Sequence, residues 1–493
     1  MKKELNELKE FFSKYKTALL ILLISSFIIY GFKLFNYSIS IDTERIILDS
    51  KALIDSWYSI GRYSLGFLKF ILGLSPFNYY VANLIMIIIF PISVFIMCYL
   101  ISCLNKKGNL SNLKIILFSL LVLTSPIFCE QFNFTLQCAE VAISFLILDV
   151  GLFFLIFSIN NNKKWPLLIS IISFIECLGC YQSFAELIAF GVFLILFYVH
   201  NEKNKEICKC TYINIFIVLA GCIVGYLAVS KVVCFILEIG HSEYLTSQIL
   251  WLNKPILSVI RSILASIKRV ILGEGLFYTL GFLVACGISI WYSIKNFKNN
   301  KFSSIYNFFI LLCPFLLLLL LGTMQAYRAQ FAYPFVMAYF IVFVFNYDYK
   351  ICFKYIMLFV AVLISFRQFR ITESLFMSDY LNYEYEKVLV NQIINSIEYD
   401  KLEDKTLIFI GSKNSNIGLK GETIGYTFFE WDNSYIIGSN GRIQSLFGIL
   451  NYNYKLPTVD EYNTALEKAS DMNVYPSEGS IIYYDNIIVI KLS

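Results

Sequence analysis

Two acidic side chains stand at the start of the first long hydrophilic stretch of the chain. Asp42 and Glu44 lie in the segment SISIDTERIILDS, Ser38–Ser50, just beyond an apolar run. A carboxylate at the surface of a bilayer can take a proton from a substrate hydroxyl, and apolar neighbours raise its pKa towards the working pH. Asp42 is our first candidate for such a base. Glu44 could bind substrate hydroxyls, help to position a divalent metal, or act as the base itself.

The same two acids also fit a structural role. The order Asp-Thr-Glu-Arg suits a helix with Asp42 as its N-cap and Glu44 in its first turn, where acids are favoured. A helical pattern does follow, because apolar residues recur at helical spacing from Ile46 to Ile60, opposed by polar residues. We expect that amphipathic helix to lie in the outer membrane interface.

Most of the chain is too apolar for a water-soluble protein. Hydrophobic residues make up 58% of it and charged residues 15%, and its mean hydropathy is +0.67. Globular proteins contain roughly 45–50% apolar residues and about 25% charged residues. We predict a mainly α, polytopic membrane protein with about eleven transmembrane helices. The predicted spans are Thr17–Phe35, Tyr80–Leu104, Ile115–Phe128, Ala139–Ile159, Trp165–Ile175, Leu187–Val199, Ile215–Leu237, Gly275–Ile294, Ile305–Leu321, Ala332–Phe345 and Ile351–Phe366.

Lysine clusters between alternate spans predict the sidedness of the chain. By the positive-inside rule they are cytoplasmic, so the N-terminus is cytoplasmic and the connections that hold Asp42, Glu130, Tyr181, Tyr244 and Arg328 are external. No small-residue cleavage site follows the first apolar run, so we expect it to stay as an anchor. The clusters are Lys2/Lys3/Lys9/Lys14/Lys16, Lys106/Lys107, Lys163/Lys164, Lys203/Lys205/Lys209, Lys295/Lys298/Lys301 and Lys350/Lys354.

The composition changes after Arg367, which predicts two domains, 1–367 in the membrane and 368–493 outside it. An odd number of spans places the second domain outside the cell. We predict for it a helix over Ser378–Glu398, a strand at Thr406–Ile410, a helix over Val459–Ser470, and a hairpin joining Ile481–Tyr484 to Ile487–Leu492. A small α/β or α+β fold accommodates these elements.

A second amphipathic helix is predicted from Pro255 to Leu272. Its basic residues Arg261, Lys268 and Arg269 gather on one face, opposite isoleucine and leucine residues, and proline suits its first turn. We expect it to lie flat on the outer surface, with the basic residues attracting anionic lipid headgroups.

Four segments carry a resemblance to a known family. They are SIDTERIILDS continuing into DSWYSIGRYSL, SPIFCEQFNF at Ser125–Phe134, GCYQSF at Gly179–Phe184, and MNVYPSEGSIIYYDN near the end. Together they resemble the Gtr-type, serotype-converting glucosyltransferases, which are polytopic membrane enzymes of the GT-C class. The resemblance covers most of the membrane portion. It is looser in the terminal domain.

The resemblance implies transfer of a glucosyl residue from a polyprenyl-phosphate donor to a cell-surface polysaccharide or other glycopolymer, on the outer face and with inversion. It places the catalytic acid in the first outer loop, without deciding between Asp42 and Glu44. A lipid-linked donor agrees with the absence of a Walker loop or Gly-rich dinucleotide fingerprint in the sequence. We expect the bilayer and both substrates as partners, and no nucleic acid.

Six further residues are predicted to bind the substrates. Arg62 and Arg328 are candidates for the lipid phosphate, and Arg328 is preferred because an arginine at the end of a span is costly unless paired or hydrated. Snorkelling to the interface is the structural alternative. Glu130, Gln131, Tyr181 and Gln182 are candidates for gripping the sugar, although Tyr181 also fits an interfacial aromatic belt and Glu130 an exposed loop.

Two other functions remain as alternatives. A flippase for a lipid-linked oligosaccharide predicts charges within the spans and an internal repeat, and no clear repeat is visible. A polysaccharide polymerase or ligase shares the membrane, the donor lipid and the sidedness. Its long outer loop normally lies within the chain and not at its end.

The predicted sidedness can be tested by cysteine labelling in intact cells. A cysteine at Ser415 should react with a membrane-impermeant reagent, because the terminal domain is predicted to be external. A cysteine at Asn204, beside a lysine cluster, should stay protected. The reverse pattern would overturn the predicted orientation.

Overall fold

The computed structural model describes residues 2–105, 110–201, 205–240, 242, 247–343, 351–397 and 405–493, apart from the side chains of residues 205–210 and 343. Six residues on which the predicted sidedness or its test depends lie outside the described residues: Lys106, Lys107, Lys203, Asn204, Tyr244 and Lys350. The chain divides into two compact units. The helical unit contains Met1–Leu34, Ile54–Phe132 and Gln137–Thr372, and the mixed unit contains Phe35–Leu53, Asn133–Leu136 and Glu373–Ser493.

Helices dominate the part of the chain that the structure describes. They are Lys2–Lys14, Lys16–Tyr30, Phe32–Phe35, Thr43–Leu48, Ser50–Ser59, Tyr63–Ile71, Tyr79–Leu104, Asn112–Leu123, Pro126–Asn133, Cys138–Asn161, Trp165–Cys180, Phe184–Asn201, Lys205–Ile236, Leu250–Asn253, Ile256–Leu272, Gly281–Asn296, Lys301–Leu312, Leu316–Leu321, Ala332–Phe343, Ile351–Ser396, Asn440–Ile449 and Val459–Lys468. Short 3₁₀ turns occur at Thr135–Gln137, Cys313–Phe315, Tyr327–Ala329 and Ala469–Asp471.

Several helices are suited to cross a membrane. Within the described residues six are long and apolar enough, or up to eight if each of two bent helix pairs forms one span. The prediction of a mainly helical membrane protein is confirmed. The number of eleven spans and the position of the C-terminal domain stay predictions.

Several predicted spans differ from the observed helices. Thr17–Phe35 is divided at Gly31, Ile305–Leu321 contains the 3₁₀ turn Cys313–Phe315, and Ile351–Phe366 continues without a break into the predicted helix Ser378–Glu398 as the single helix Ile351–Ser396. The run Ile115–Phe128 is interrupted after Leu123, and the helix Pro126–Asn133 continues at an angle of 54°. Pro126 explains the break, because proline lacks an N–H group and disfavours helical geometry in the residue before it. The segment predicted as an outer loop around Glu130 is therefore a short helix.

The amphipathic segments are partly as predicted. The expected helix Ile46–Ile60 is divided into Thr43–Leu48 and Ser50–Ser59, because Asp49 leaves the helical conformation and its Oδ1 accepts a hydrogen bond from the N–H of Ala52 at 3.0 Å. The helix Ile256–Leu272, preceded by Pro255, confirms the second prediction. Its location on the membrane surface stays a prediction.

The mixed unit is built around a three-stranded sheet. Strands β1 (Thr406–Ile410), β2 (Ile481–Tyr484) and β3 (Ile487–Lys491) stand in the order β1-β3-β2, with β3 parallel to β1 and antiparallel to β2. β1 is buried throughout, as its unbroken apolar sequence TLIFI predicts for a strand covered on both faces. The predicted strand and the predicted hairpin are confirmed, whereas the helix Asn440–Ile449 was not predicted.

Successive residues of β1 pack into two separate apolar clusters. Leu407 and Phe409 belong to the larger one, together with Ile393 of the helix Ile351–Ser396 and Phe447 of the helix Asn440–Ile449. Ile408 and Ile410 belong to the smaller one, with Ala465. The larger cluster also contains Ile39 and Ile41, so the segment that carries Asp42 is part of the core of this unit.

Candidate functional site

Three carboxylates surround the guanidinium group of Arg442 in the mixed unit. Nη1 of Arg442 lies 2.8 Å from Oδ1 of Asp42 and also donates to Oε1 of Glu44. Nε of Arg442 lies 2.7 Å from Oδ2 of Asp432. The two acids predicted from the first loop are therefore brought together on one cation, which the sequence interpretation did not identify.

Glu44 is the most deeply buried member of this Arg442 cluster. Its side chain is 0% exposed, and its Oε2 atom forms no hydrogen bond with any described residue. Removal from water raises the pKa of Glu44 to about 7, Asp42 adds to the rise, and Arg442 opposes it. Glu44 thus has an uncommitted oxygen and a pKa near neutrality.

Asp42 occupies the N-cap position of the helix Thr43–Leu48 without capping it. Its side chain accepts no hydrogen bond from the helix and is directed to Arg442. Its backbone has φ 72°, a left-handed conformation that is uncommon outside glycine and is maintained only where surrounding contacts impose it. With 35% of its side chain exposed, Asp42 is more accessible than Glu44.

Short contacts fix the loop before the helix Thr43–Leu48. Oγ of Ser40 donates to the carbonyl of Asn133 at 2.7 Å, and the N–H of Thr43 donates to the carbonyl of Ser40 at 3.0 Å. Ile39 and Ile41 alternate with these polar residues and enter the apolar core. The alternation of isoleucine and serine thus holds Asp42 at the edge of the core.

The sheet positions Arg442 through a neighbouring asparagine. Nδ2 of Asn440 donates to the carbonyl of Phe409 at 2.8 Å, and Oδ1 of Asn440 accepts from the N–H of Phe409 at 2.8 Å. The start of the helix Asn440–Ile449 is thereby fixed to β1. One sequence signal could have revealed Arg442, because it is the only arginine after Arg370.

A second predicted group converges in the helical unit. The guanidinium carbon of Arg62 lies 4.1 Å from the ring centroid of Tyr181, and Nε of Arg62 donates to Oε1 of Gln182 at 3.2 Å. Nε2 of Gln182 donates to the carbonyl of Ile60 at 2.8 Å and to the hydroxyl of Tyr226 at 3.1 Å. We call Arg62, Tyr181, Gln182 and Tyr226 the Arg62 cluster.

The charge of Arg62 has no carboxylate partner among the described residues. Neither of its Nη atoms forms a hydrogen bond or ion pair there, and its side chain is only half-buried. A guanidinium group with two free nitrogens in a fork is suited to bind a phosphate. The structure therefore brings together the predicted substrate-binding residues Arg62, Tyr181 and Gln182. The two Nη atoms of Arg62 remain available as hydrogen-bond donors.

Glycines allow the chain to pass close to this cluster. A Cβ on Gly179 would lie 2.5 Å from Oγ of Ser64 and from the ring of Tyr63, the two residues after Arg62. Gly61 has φ +76°, and a Cβ there would lie 2.6 Å from the hydroxyl of Tyr226. Larger residues would separate Arg62 from Tyr181 and Gln182.

The remaining predicted residues lie in the helical unit. Glu130 and Gln131 are fully buried on the helix Pro126–Asn133, so Glu130 is not an exposed loop acid. Both polar side-chain atoms of Gln131 form no hydrogen bond with a described residue. Arg328 is half-buried in the 3₁₀ turn Tyr327–Ala329, and its role stays a prediction.

Tyr181 is almost completely buried, so its ring is not part of a lipid-facing aromatic belt. It is 5% exposed, with Arg62 against its face and the ring of Phe331 at 5.5 Å.

No group of three or more histidine, cysteine, aspartate or glutamate residues in the described part of the chain is arranged to hold a metal ion. Arg442 supplies the positive charge between Asp42, Glu44 and Asp432.

A comparison with protein families identifies the chain. The profile described as "Glucosyl transferase GtrII" matches residues 31–345, which is more than half of its length. The chain belongs to the GtrII glucosyl transferase family. A search of the curated proteins finds no significant match.

Membership of the GtrII family makes this protein a glycosyltransferase, as the sequence resemblance predicted. The matched region contains every site residue predicted from the sequence, from Asp42 to Arg328. It ends before Asp432 and Arg442, which complete the cluster around the first-loop acids. The structure thus adds to the GtrII segment two charged residues that the family comparison does not cover.

The raised pKa of Glu44 predicts a pH-dependent contribution to stability. The folded protein binds this proton more tightly than the unfolded chain, so the contribution is fully present below pH 4.5 and is lost as the pH rises through about 7. Between these values the free energy of unfolding of the parent should fall, relative to Glu44→Gln, by on the order of 2–3 kcal/mol.

Denaturation of the full chain in detergent, followed by intrinsic fluorescence at a series of pH values, measures this difference. The exposed Glu467 offers a control, since Glu467→Gln should differ from the parent by a nearly constant amount. A constant difference for Glu44→Gln as well would contradict the raised pKa.

Proposed function

We propose that this GtrII family member transfers a glucosyl residue from polyprenyl-phosphate-glucose to a hydroxyl group of a cell-surface polysaccharide or glycopolymer. The reaction takes place on the outer face of the membrane and inverts the anomeric carbon. The observation that carries this proposal is the convergence of Asp42 and Glu44 on Arg442, with one oxygen of Glu44 left uncommitted. Such a pair is suited to accept a proton from an acceptor hydroxyl.

The proposed reaction is a single displacement. The acceptor oxygen attacks the anomeric carbon of glucose while the bond from that carbon to the phosphate oxygen breaks. The acceptor proton passes to a carboxylate, and polyprenyl phosphate leaves with the bonding electrons. We assign the proton to Asp42, because it is the partly exposed acid, and a base must come within about 3 Å of the hydroxyl it deprotonates.

Glu44 supports Asp42 from the buried side of the cluster. Its uncommitted Oε2 is an acceptor for a sugar hydroxyl, and its pKa near 7 lets it exist with or without a proton at neutral pH. It remains the alternative base. The two carboxylates share one donor nitrogen, so a change in the charge of one alters the electrostatic environment of the other.

The Arg62 cluster is our candidate for the donor phosphate. Arg62 keeps two nitrogens free within the described residues, and stacking on Tyr181 restricts its orientation. A leaving phosphate needs cationic donors as its bond to the sugar breaks. On these contacts Arg62 replaces Arg328 as the preferred phosphate ligand.

The flippase alternative gains one observation from the structure. It predicted charges within spans, and Glu140, Asp149 and Glu186 are buried in helices that are candidate spans. Each carboxylate, however, has a protein partner: Glu140 binds Lys69 at 2.7 Å, Asp149 accepts from Ser93 at 2.6 Å, and Glu186 accepts from the N–H of Leu317 at 3.4 Å. These contacts join helices, and family membership favours the transferase.

Removal of one carboxylate charge tests the proposed chemistry. Asp42→Asn keeps the size of the side chain but abolishes its basicity, so transfer should slow by about 10²–10⁴-fold. Glu44→Gln should also slow it, and the larger loss identifies the base. The control is Asp49→Asn, because Asp49 is an exposed acid of the same loop whose helix-capping bond asparagine can keep.

Purified variants should be compared for glucosyl transfer in detergent or proteoliposomes, with their amounts and melting temperatures matched. Parental rates for both Asp42→Asn and Glu44→Gln would make the first loop structural and would reject the proposal.

The donor class can be tested with the same preparation. The protein should consume polyprenyl-phosphate-glucose and be inert with UDP-glucose alone. Arg62→Ala should weaken donor use by the ~1.5–3 kcal/mol of a charge-assisted contact, and Arg328→Ala measures the contribution of the other candidate. Arg261→Ala, at an exposed position of the helix Ile256–Leu272, is the control.

Turnover of UDP-glucose without the lipid donor would reject the proposed donor. Movement of lipid-linked sugar across the bilayer without transfer would favour the flippase.

A further inference from the structure

Arg442 binds both first-loop acids and is itself oriented by a third. Its Nη1 atom contacts Asp42 and Glu44, whereas its Nε atom is held by Asp432 at 2.7 Å. The planar guanidinium fork fixes the angle between these two sides. Asp432 therefore sets the direction in which Nη1 presents its charge to the two candidate acids.

Local structure on each side keeps this arrangement rigid. Arg442 is 10% exposed, two residues after Asn440, whose side chain forms the paired hydrogen bonds to Phe409 of β1. The helix Asn440–Ile449 places Ile443, Leu446 and Phe447 in the core of the mixed unit. Asp42 is held in a left-handed conformation beside it. Rotation of Arg442 would require several buried contacts to change.

The acids around Arg442 outnumber its single charge. Asp42 and Glu44 face it from the first loop, Asp432 faces it from the segment before its own helix, and no other charged group contacts Glu44 among the described residues. Without the guanidinium, Asp42 and Glu44 would repel each other and Glu44 would be a buried, unpaired acid. Glu44 would then favour its protonated form, because burial raises its pKa and Arg442 opposes that rise.

We propose that Arg442 is a positioning residue of glucosyl transfer, which holds Asp42 and Glu44 side by side and places its positive charge against both carboxylates, with Asp432 orienting it. This inference rests on the proposed function of the two acids. Arg442 lies outside the segment matched by the GtrII profile, so the family comparison gives it no role. Its ion pairs are with acids of the protein, so we assign it a positioning role and not a catalytic one.

The inference predicts a change in the pH dependence of the reaction. In Arg442→Met, which keeps much of the side-chain length without the charge, the acidic limb of the rate profile should move to higher pH by about one unit or more. The maximal rate should fall, whereas KM for the donor should change little, because the donor phosphate is assigned to Arg62. Arg442→Lys should be intermediate, since an ammonium group lacks the planar fork.

The matched control is Arg45→Met. Arg45 follows Glu44 directly, is exposed, and forms no ion pair within the described residues, so the same charge is lost without contact to the acids. Its acidic limb should coincide with that of the parent. Asp432→Asn should lower the rate without moving the limb to higher pH, because Arg442 would keep its charge beside Asp42 and Glu44.

Chemical rescue separates positioning from folding. Guanidinium ion added at millimolar concentration to Arg442→Ala should restore part of the activity, whereas urea, of similar shape but uncharged, should not. An unmoved acidic limb in both Arg442→Met and Arg442→Lys, together with no rescue, would overturn the inference and make Arg442 a structural link only.

The two proposals fail in different ways. If Asp42→Asn and Glu44→Gln keep parental rates, the proposed function fails regardless of Arg442. If either of these changes abolishes transfer while Arg442→Met and Arg442→Lys keep the parental acidic limb and guanidinium ion rescues nothing, the inference alone fails.

Discussion

Charge buried in an apolar chain needs a polar partner, and the pairing of Arg442 with Asp42, Glu44 and Asp432 joins the first loop to the C-terminal segment of the mixed unit. A carboxylate removed from water without a partner loses several kcal/mol of hydration, and the nearby guanidinium group stabilises the ionised form of the buried Glu44. The cation comes from a residue about four hundred positions later in the sequence. The first loop therefore belongs to the same compact unit as the C-terminal segment.

The same constraint operates in the helical unit with a different outcome. Lys69 and Glu140 form an ion pair in which both side chains are almost completely buried, and this pair joins the helices Tyr63–Ile71 and Cys138–Asn161. Glu186 accepts a hydrogen bond from Leu317, immediately after the 3₁₀ turn Cys313–Phe315 interrupts a span. There the carboxylate compensates a backbone group that the broken helix leaves without its usual partner. Buried charge in these helices thus has a structural explanation that requires no transport path.

The two arginines of the candidate sites differ in how their charge is used. Arg442 forms ion pairs with three acids, so its charge holds side chains of the protein in place. Arg62 stacks on Tyr181 and binds a neutral amide, which orients the guanidinium group while leaving its charge for a ligand. This contrast is the physical basis for assigning Arg62 to an anionic substrate and Arg442 to the acids. The segment matched by the GtrII profile includes Arg62 and ends before Arg442.

Local patterns in the sequence determined most of the long helices, the three strands and the identity of the candidate acids. Apolar runs predicted the long helices, and the TLIFI run predicted β1. The position of Asp42 and Glu44 after the first apolar segment indicated that they are candidate catalytic acids. These features depend on neighbouring residues, so periodicity and hydropathy reveal them. The break before Pro126 has an equally local cause, although the apolar run concealed it.

Only the tertiary structure decided which charges meet. The pairing of Arg442 with Asp42 and Glu44, and the contact of Arg62 with Tyr181 and Gln182, join residues that are far apart in the chain. No local pattern encodes such contacts, because they depend on how the elements pack. Burial decided how the two acids differ, because the sequence by itself shows two similar carboxylates. The fold leaves Asp42 partly exposed, whereas it removes Glu44 from water and raises the pKa of Glu44.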